Sequence, residues 1–393
     1  MTHPAGIQYL HLVTDDKFID FVIAQFDACA GAQNAYLLGS RANQPITHVK
    51  QADRLTILPG RSREYRDFAR GLPSLKAVFV HSLNWKKARL LALVPPTALK
   101  FWFAWGSDFY GHCWSLRQLF LPLTYAHVKR SAGGIHYFVK NWFRITCQAW
   151  VPWPDDFHRS ISLFDFCSTV VPTEFEILEQ QKGFRARQVI FNYGSLEATL
   201  AGLVEARANR DAILVGNSSS PTSNHADIFR QLADSALGSR QVIVPLSYGQ
   251  KGEYRQFVLQ QGRHYLGSRF EPLLDFMPLR DYVRLLSTCG TCIFNHERQQ
   301  ALGNILIALW LGAKVFLRPT SPVFRHFSRL GLKFFAIDPQ FPATLRLASL
   351  TEDEAARNRH LLRQEYGQQT VQRRTQNLLN LLNQAPAAPG VGW

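Results

Sequence analysis

The chain has 393 residues, a length for which two domains are the default expectation. Hydrophobic residues make up 46% and charged residues 19%, which supplies a sizeable core and excludes a chain that is disordered throughout. The formal net charge of +15 points to an anionic partner: nucleic acid, an acidic membrane or a phosphorylated substrate.

In chain order the first half alternates strand and helix. Residues 7–13 read as a strand, 17–30 as an amphipathic helix and 34–38 as a second strand. Residues 76–80 form another strand, followed by a helix over 85–94 and a strand over 99–104. Such spacing predicts a parallel sheet with crossover helices. Residues 117–148 read as helical, broken by Pro122 and by Gly133-Gly134, and 167–171 as a strand opening into a helix at Pro172. The same stretch carries the charge: between residues 61 and 151 fourteen Lys and Arg face three acids, Glu64, Asp67 and Asp108, a local net of +11. Aromatics interleave with these cations, from Phe101 to Trp150. That pattern suits a membrane interface, single-stranded nucleic acid, or a ring-rich core beneath a basic surface.

A second alternating block begins near residue 210. Strands are predicted over 211–215, 240–245, 291–294 and 313–317, with helices over 225–236, 252–261, 279–286 and 304–311. The chain thus reads as α/β with two doubly wound units hinged near residues 190–210. A charged helical tail follows over 351–383, with Thr351-Glu-Asp-Glu as its cap, and the end, 384–393, is predicted to be disordered. The six cysteines are scattered. Cys289-Gly-Thr-Cys292 is a lone pair with no second pair or histidine spacing to complete a zinc site, so buried thiols are expected. No basic-then-apolar leader pattern stands at the N-terminus. The longest apolar run, 305–317, is broken by Gly312 and Lys314 and is shorter than the roughly 20 residues that span a bilayer. Any membrane contact is therefore expected to be peripheral.

Three motifs carry chemistry. Gly216, Asn217 and Ser218 end a strand just before a helix, where free backbone N–H groups favour phosphate; a helix-capping turn is the plainer reading. The loop from Asn295 to Asn304 supplies donors in Arg298, Gln299 and Gln300 and a second helix start at Gly303 and Asn304. Tyr248 follows the intervening strand. The GxGxxG fingerprint is absent, which disfavours a dinucleotide. In the first half, Trp105, Gly106, Asp108 and Tyr110 follow a strand, and Asp108 is an isolated acid among cations and rings. It reads as a general base, as a holder of an acceptor hydroxyl, or as a helix cap. His81, after the preceding strand, faces the same cleft or is structural.

These motifs resemble the bacterial TDP-N-acetylfucosamine:lipid II N-acetylfucosaminyltransferases of enterobacterial common antigen synthesis, the 4-alpha-L-fucosyltransferases. The family's Trp-Gly-x-Asp-x-Tyr is matched by Trp105, Gly106, Asp108 and Tyr110. Its Ile-Leu-Val-Gly-Asn-Ser and Ser-Asn-x-His segments are matched by residues 213–218 and by Ser223, Asn224 and His225. Its Val-Pro-x-x-Tyr and Arg-Gln-Gln-x-x-Gly are matched by Val244, Pro245 and Tyr248 and by Arg298, Gln299, Gln300 and Gly303. The agreement runs from about residue 75 to 320; the family's Phe-Ala before Arg-Gln-Gln is His296-Glu297 here, and residues 131–159 are not matched.

The resemblance implies a GT-B glycosyltransferase, two Rossmann-like domains facing a central cleft. Residues 1–200 would form the acceptor and membrane-facing domain and 201–350 the nucleotide-sugar domain. Gly216, Asn217, Ser218, Tyr248, Arg298, Gln300, Gly303 and Asn304 would bind the donor, with Gln300 serving where related loops often carry a glutamate. Asp108 and His81 would stand at the reacting hydroxyl, with Trp105, Gly106 and Tyr110 beside the acceptor. The implied partners are a TDP-linked donor and a lipid-linked saccharide acceptor, with no nucleic acid; the basic, aromatic pattern adds the cytoplasmic face of the inner membrane, met peripherally through Lys129, Arg130, Lys140, Trp142 and Arg144. With no Asp-x-Asp motif, neither metal nor cofactor is expected. Two rivals stand: a transferase with another nucleotide sugar and a capsule or lipopolysaccharide acceptor, and a non-catalytic polyanion-binding protein.

Overall fold

The computed structural model describes residues 6–40, 45–72, 74–131, 157–208, 211–235, 237–249, 251–345 and 349–384. The chain divides into two compact units. The first contains the seven strands β1 (Tyr9–Val13), β2 (Asn34–Ser40), β3 (Leu55–Pro59), β4 (Ala77–His81), β5 (Leu99–Ala104), β6 (Phe166–Thr169) and β7 (Arg187–Gln188). They pair in parallel in the order β3-β2-β1-β4-β5-β6-β7. Because helical crossovers cover both faces of such a sheet, its central strands are apolar throughout rather than alternating. Every residue of β1 and β4 is buried.

The core of this unit is built of rings. Phe79, Phe101 and Phe103 stand on adjacent strands, and Phe103 meets Phe191 at 4.4 Å between centroids. Trp102, Phe109 and Tyr110 are also buried. Of the aromatics over residues 101–110, Phe101, Trp102, Phe103, Phe109 and Tyr110 are therefore core, and Trp105 is part-buried. Edge strands β3 and β7 escaped the sequence reading, since neither has a run of buried apolar residues: all five residues of β3 are part-buried or exposed, and both of β7 are exposed.

The second unit contains β8 (Ala212–Val215), β9 (Val242–Pro245), β10 (Phe270–Leu273), β11 (Cys289–Phe294), β12 (Lys314–Leu317) and β13 (Phe335–Ala336). Their order is β10-β9-β8-β11-β12-β13, again parallel. Both sheets thus share the doubly wound order, in which the chain builds outward from the first strand, crosses back and builds the other way. Cys289 and Cys292 are buried thiols in β11, and burial pushes Cys289 up to about 11. Among the described residues no helix is long and apolar enough to cross a membrane.

The units are not separated by one cut near residue 200. The helix Pro122–Arg130 is grouped with the second unit. Its first turn is capped by a distant carboxylate: Asp227 accepts from Leu123 N (2.8 Å), Thr124 N (3.0 Å) and Thr124 Oγ1 (2.7 Å). Asn224 Oδ1 accepts from Leu121 N at 2.9 Å. The helix N-terminus has no side chain of its own to do this, so orphan N–H groups find partners on the neighbouring helix. The tail is two helices, Glu352–Tyr366 and Gln368–Gln384. Thr351 and Glu354 form the capping box of the first (Glu354 N donates to Thr351 Oγ1 at 3.2 Å). The second belongs to the first unit, where Leu378 and Leu379 enter the core and Arg374 donates to Asn192 Oδ1 at 2.6 Å.

Asp227→Ala takes this acceptor from three donors, two of them in buried bonds. It is expected to destabilise the protein by about 3 kcal/mol and to speed hydrogen exchange at Leu123 and Thr124 first. Denaturant unfolding together with amide exchange checks this; unchanged exchange at both amides would contradict the capping role.

Candidate active site

In an open parallel sheet, ligands gather beyond the carboxyl ends of the strands where successive connections diverge. In the second unit that point lies between β8 and β11. Gly216 follows β8 with φ +70°, and a Cβ there would lie 2.9 Å from His225 Nε2. Both the left-handed backbone and the lack of room require glycine. The loop then folds against the turn after β9, with Ser219 N donating to Tyr248 O at 2.7 Å. It ends at Asn224, which opens the helix His225–Ala233 in the left-handed region, φ 49°.

Side chains tie this loop to the one after β11. Asn224 Nδ2 donates to Asn295 O (3.2 Å) and Asn295 Nδ2 donates to Asn224 O (3.1 Å). Gln300 Nε2 donates to Asn217 Oδ1 (2.9 Å) and Ser223 Oγ (3.2 Å), and Gln300 Oε1 accepts from Thr222. Ala301 follows in the left-handed region, φ 64°, and starts the helix Leu302–Leu311. Neither this helix nor His225–Ala233 has a side chain capping its first turn. Two helix starts with free dipole ends therefore flank one crevice, an arrangement suited to phosphate.

Gly216, Asn217, Ser218, Arg298, Gln300 and Gly303 all lie on these two loops or at the second helix start, and Tyr248 joins through Ser219. Tyr248 is 54% exposed. The Arg298 guanidinium donates to Gln299 O at 3.1 Å. Asn304 is different: its amide donates to the Tyr282 hydroxyl at 2.8 Å, so it fastens the helix Leu279–Leu286. Glu297 pairs with Arg318 at 2.5 Å and accepts from Thr320. Two histidines join the site without having been singled out for it. His225 Nδ1 meets Tyr254 OH at 3.1 Å, while Nε2 of His225 and of His296 have no hydrogen-bond partner among the described residues. Burial lowers His225 to about 3 and holds His296 well below the usual imidazole range.

In the first unit the structure corrects the reading of Asp108. Its carboxylate is buried and fully engaged: Oδ2 accepts from Leu83 N (2.8 Å) and Trp102 Nε1 (2.9 Å), and Oδ1 from Trp105 N (2.9 Å). It is neither an open base nor a cap of the following helix but a clamp joining the loops after β4 and β5. Burial raises its pKa, and the three donors oppose that rise. Lys87, also buried, donates to the His81 and Ser82 carbonyls, and burial lowers it to about 7. Gly106 turns the loop at φ 83°, and Tyr110 stacks on Phe109 in the core at 4.5 Å rather than facing a ligand. Ser82 too is left-handed, φ 61°. Of the four non-glycine residues with positive φ among the described residues, three, Ser82, Asn224 and Ala301, lie in loops at the strand ends, and Ala201 is the fourth.

His81 is buried with both ring nitrogens occupied, so it does not present a free base. Its Nε2 meets His11 Nδ1 (3.1 Å) and its Nδ1 meets Tyr193 OH (2.9 Å). Asn34 sets the direction of this chain. Its amide donates to Asp27 Oδ1 (3.1 Å) and Gly31 O (3.2 Å), so its oxygen faces His11 Nε2 (3.4 Å). His11 therefore donates from Nε2, His81 donates to His11, and Tyr193 donates to His81. Lys129 and Arg130 are exposed at the end of Pro122–Arg130, whereas Lys140, Trp142 and Arg144 lie outside the described residues.

Four buried imidazoles, His11, His81, His225 and His296, are held neutral by desolvation, His11 and His225 down to about 3 from an unfolded value of 6.5. The unfolded chain takes up protons that the folded one refuses, so their contribution is whole above pH 6.5 and falls as pH drops from 6.5 toward 3. Denaturation midpoints are expected to fall over that window, with the ring C–H resonances of His11 and His225 not titrating in the folded state. A normal imidazole titration at either residue would overturn this.

Residues 171–346 match the family described as 4-alpha-L-fucosyltransferase, glycosyl transferase group 56. Three solved structures share the fold. A glycosyltransferase from Rickettsia africae has 10% identity and TM-score 0.62, covering 97% of this chain and 100% of its own. HepE from Anabaena, solved with UDP and glucose, has 11% identity and TM-score 0.61, covering 96% and 100%. Sucrose-phosphate synthase from Thermosynechococcus elongatus has 11% identity and TM-score 0.61, covering 96% and 99%. At such identities the likeness establishes the GT-B architecture of two Rossmann-like units. With that fold and that match, the chain is a glycosyltransferase whose residues 171–346 are similar to the 4-alpha-L-fucosyltransferases of glycosyl transferase group 56.

Proposed function

We propose that the chain moves a deoxyamino sugar of the N-acetylfucosamine type from a TDP-linked donor to a lipid-linked saccharide in bacterial surface polysaccharide synthesis. The observation that carries the donor half is the β8/β11 crevice. Its two uncapped helix starts, the close approach allowed by Gly216 and the Arg298 guanidinium suit a nucleotide diphosphate. Positive charge and oriented N–H groups there stabilise the diphosphate as it leaves. The family match supports the deoxysugar, and HepE, solved with UDP and glucose, supports a nucleotide sugar in a fold of this kind. The lipid-linked acceptor and the cytoplasmic face of the inner membrane rest on the resemblance and on the basic charge.

TDP is expected to raise the melting temperature, and GDP and NAD to leave it unchanged; at a hundred times Kd a ligand adds about 2.7 kcal/mol. Arg298→Ala removes a charge-assisted contact to phosphate and is expected to weaken TDP about 10–100-fold. Calorimetric titration checks both, and a shift with NAD equal to that with TDP would sink the donor assignment. For the membrane, Lys129 and Arg130 each contribute about 1 kcal/mol near an anionic surface. Reversing both (Lys129→Glu with Arg130→Glu) should weaken co-sedimentation with phosphatidylserine vesicles more than about tenfold. Equal sedimentation of variant and wild type would remove these residues from the membrane face.

A further inference from the structure

Three acids at the carboxyl edge of the first sheet and the adjoining helix are saturated by backbone and side-chain donors. Asp15 accepts from Thr47 N (2.7 Å), His48 N (2.9 Å), Val49 N (3.0 Å) and the Thr47 hydroxyl (2.9 Å). Asp20 accepts from Lys50 N and Gln51 N, both within 3.1 Å of Oδ1. Asp108 is clamped as described above. Asp16 stands three residues beyond β1, at the point where β1 and β4 send their connections apart. It accepts one hydrogen bond among the described residues, Phe18 N to Oδ1 at 3.0 Å, which leaves Oδ2 open.

Three rings cluster at Phe18, whose N–H holds this carboxylate. Phe18 lies edge-on to Trp105 at 5.9 Å between centroids and tilted against Tyr193 at 5.9 Å; Trp105 meets Tyr193 edge-on at 5.5 Å. Phe18 is exposed, Trp105 and Tyr193 are part-buried. The Tyr193 phenol lies close enough to feel the charge of Asp16. Its proton is committed to His81, so its oxygen offers lone pairs. The Trp105 indole N–H lies near that oxygen yet makes no well-formed hydrogen bond, and the Thr14 hydroxyl, on the residue after β1, is also unsatisfied. The bowl therefore combines ring faces and two acceptor oxygens, while its two unsatisfied groups, the Trp105 indole N–H and the Thr14 hydroxyl, are shielded from solvent. Pyranose rings present the complement: C–H faces for aromatic rings and hydroxyls for acceptors. A carboxylate in the bowl repels phosphate, so a second nucleotide does not fit.

We propose that Phe18, Trp105 and Tyr193 form the subsite for the acceptor saccharide and that Asp16 is the general base of transfer. The proposal rests on the reading of the chain as a transferase to a saccharide hydroxyl. In the step, the acceptor O–H bond breaks and its proton passes to Asp16 Oδ2. The acceptor oxygen bonds to the anomeric carbon of the donor. The bond from that carbon to the diphosphate oxygen breaks, and its electron pair leaves with the nucleotide diphosphate. Lys17 and His48 favour the charged form of Asp16, Asp15 disfavours it, and burial outweighs them, raising its pKa above the usual aspartate value. Turnover therefore rises with pH through that raised value, as the base loses its proton.

Asp16→Asn keeps an acceptor for Phe18 N–H, since asparagine serves at a helix start as well as aspartate, and removes the base. Turnover is followed as TDP release from TDP-N-acetylfucosamine, by transfer to a lipid-linked N-acetylhexosaminyl disaccharide or by hydrolysis with water as acceptor. The variant is expected to lose about 10²–10⁴ in kcat with melting temperature and TDP affinity unchanged. Turnover within a few-fold of wild type overturns the base. The subsite is tested without the donor: in ¹⁵N-indole spectra assigned with Trp105→Phe, chitobiose should shift the Trp105 N–H and TDP should not. A Trp105 signal unmoved by chitobiose overturns the subsite. Failure of TDP to bind at all would instead sink the donor reading and leave the chitobiose result standing.

Discussion

Parallel strand pairing is the constraint from which the rest of this molecule follows. A parallel ladder cannot be closed by a tight turn, so each strand must be followed by a crossover, and every carboxyl end opens into a loop on the same edge. In both sheets the order reverses beside the first strand, at β1/β4 and at β8/β11. Connections leave those two pairs in opposite directions, and the crevice so opened is lined with backbone N–H groups. The Gly216 and Gln300 loops fall at the second of these openings, after β8 and β11.

Holding such loops in place takes buried polar groups, and each of these is costly unless paired. The second unit meets this with carboxamides. Asn224, Asn295 and Gln300 each carry donors and an acceptor on a short planar group, so three side chains cross-tie two loops without any buried charge. The first unit uses a directed chain from Tyr193 through His81 and His11 to Asn34 and Asp27, ending at a carboxylate paired with Arg54 at 2.6 Å. Neutral imidazoles suit this, because each offers one donor and one acceptor and so passes the direction along. Asp108 does similar work with charge, held by three N–H groups. The same logic that removes Asp108 from the reacting atoms brings Asp16 forward: a carboxylate saturated by backbone donors is a structural tie, and one with an oxygen to spare can accept a proton.

The interleaving of the two units has an equally local cause. Pro122 starts a helix that has no capping side chain of its own, and Asp227 supplies one from over a hundred residues away in sequence. Tail residues Leu378 and Leu379 find their apolar partners around Phe26 in the first unit. The tail divides at Gly367, where a Cβ would meet Arg363 O at 2.4 Å, so the turn between its two helices depends on the absence of a side chain.

By itself the sequence determined the strand–helix alternation, the two doubly wound units, the capping box of the tail and the loops that carry Gly216 and Gln300. These are properties of short windows: apolar runs for buried strands, a glycine and polar cluster at a strand end, a threonine three residues before a glutamate. Tertiary structure alone decided what each polar side chain does. Asp108 looked available because it is an isolated acid among cations and rings, yet Leu83, Trp102 and Trp105 fill its oxygens from a strand and two loops. Tyr110, placed beside the acceptor by its motif, is core, while Asp16 carried no mark beside Asp15. His81 and His11 pair across seventy residues. Edge strands β3 and β7, lacking runs of buried apolar residues, were equally silent. Hydrogen-bond saturation of a side chain depends on atoms brought together by the sheet order, and that order is a long-range property that no local pattern encodes.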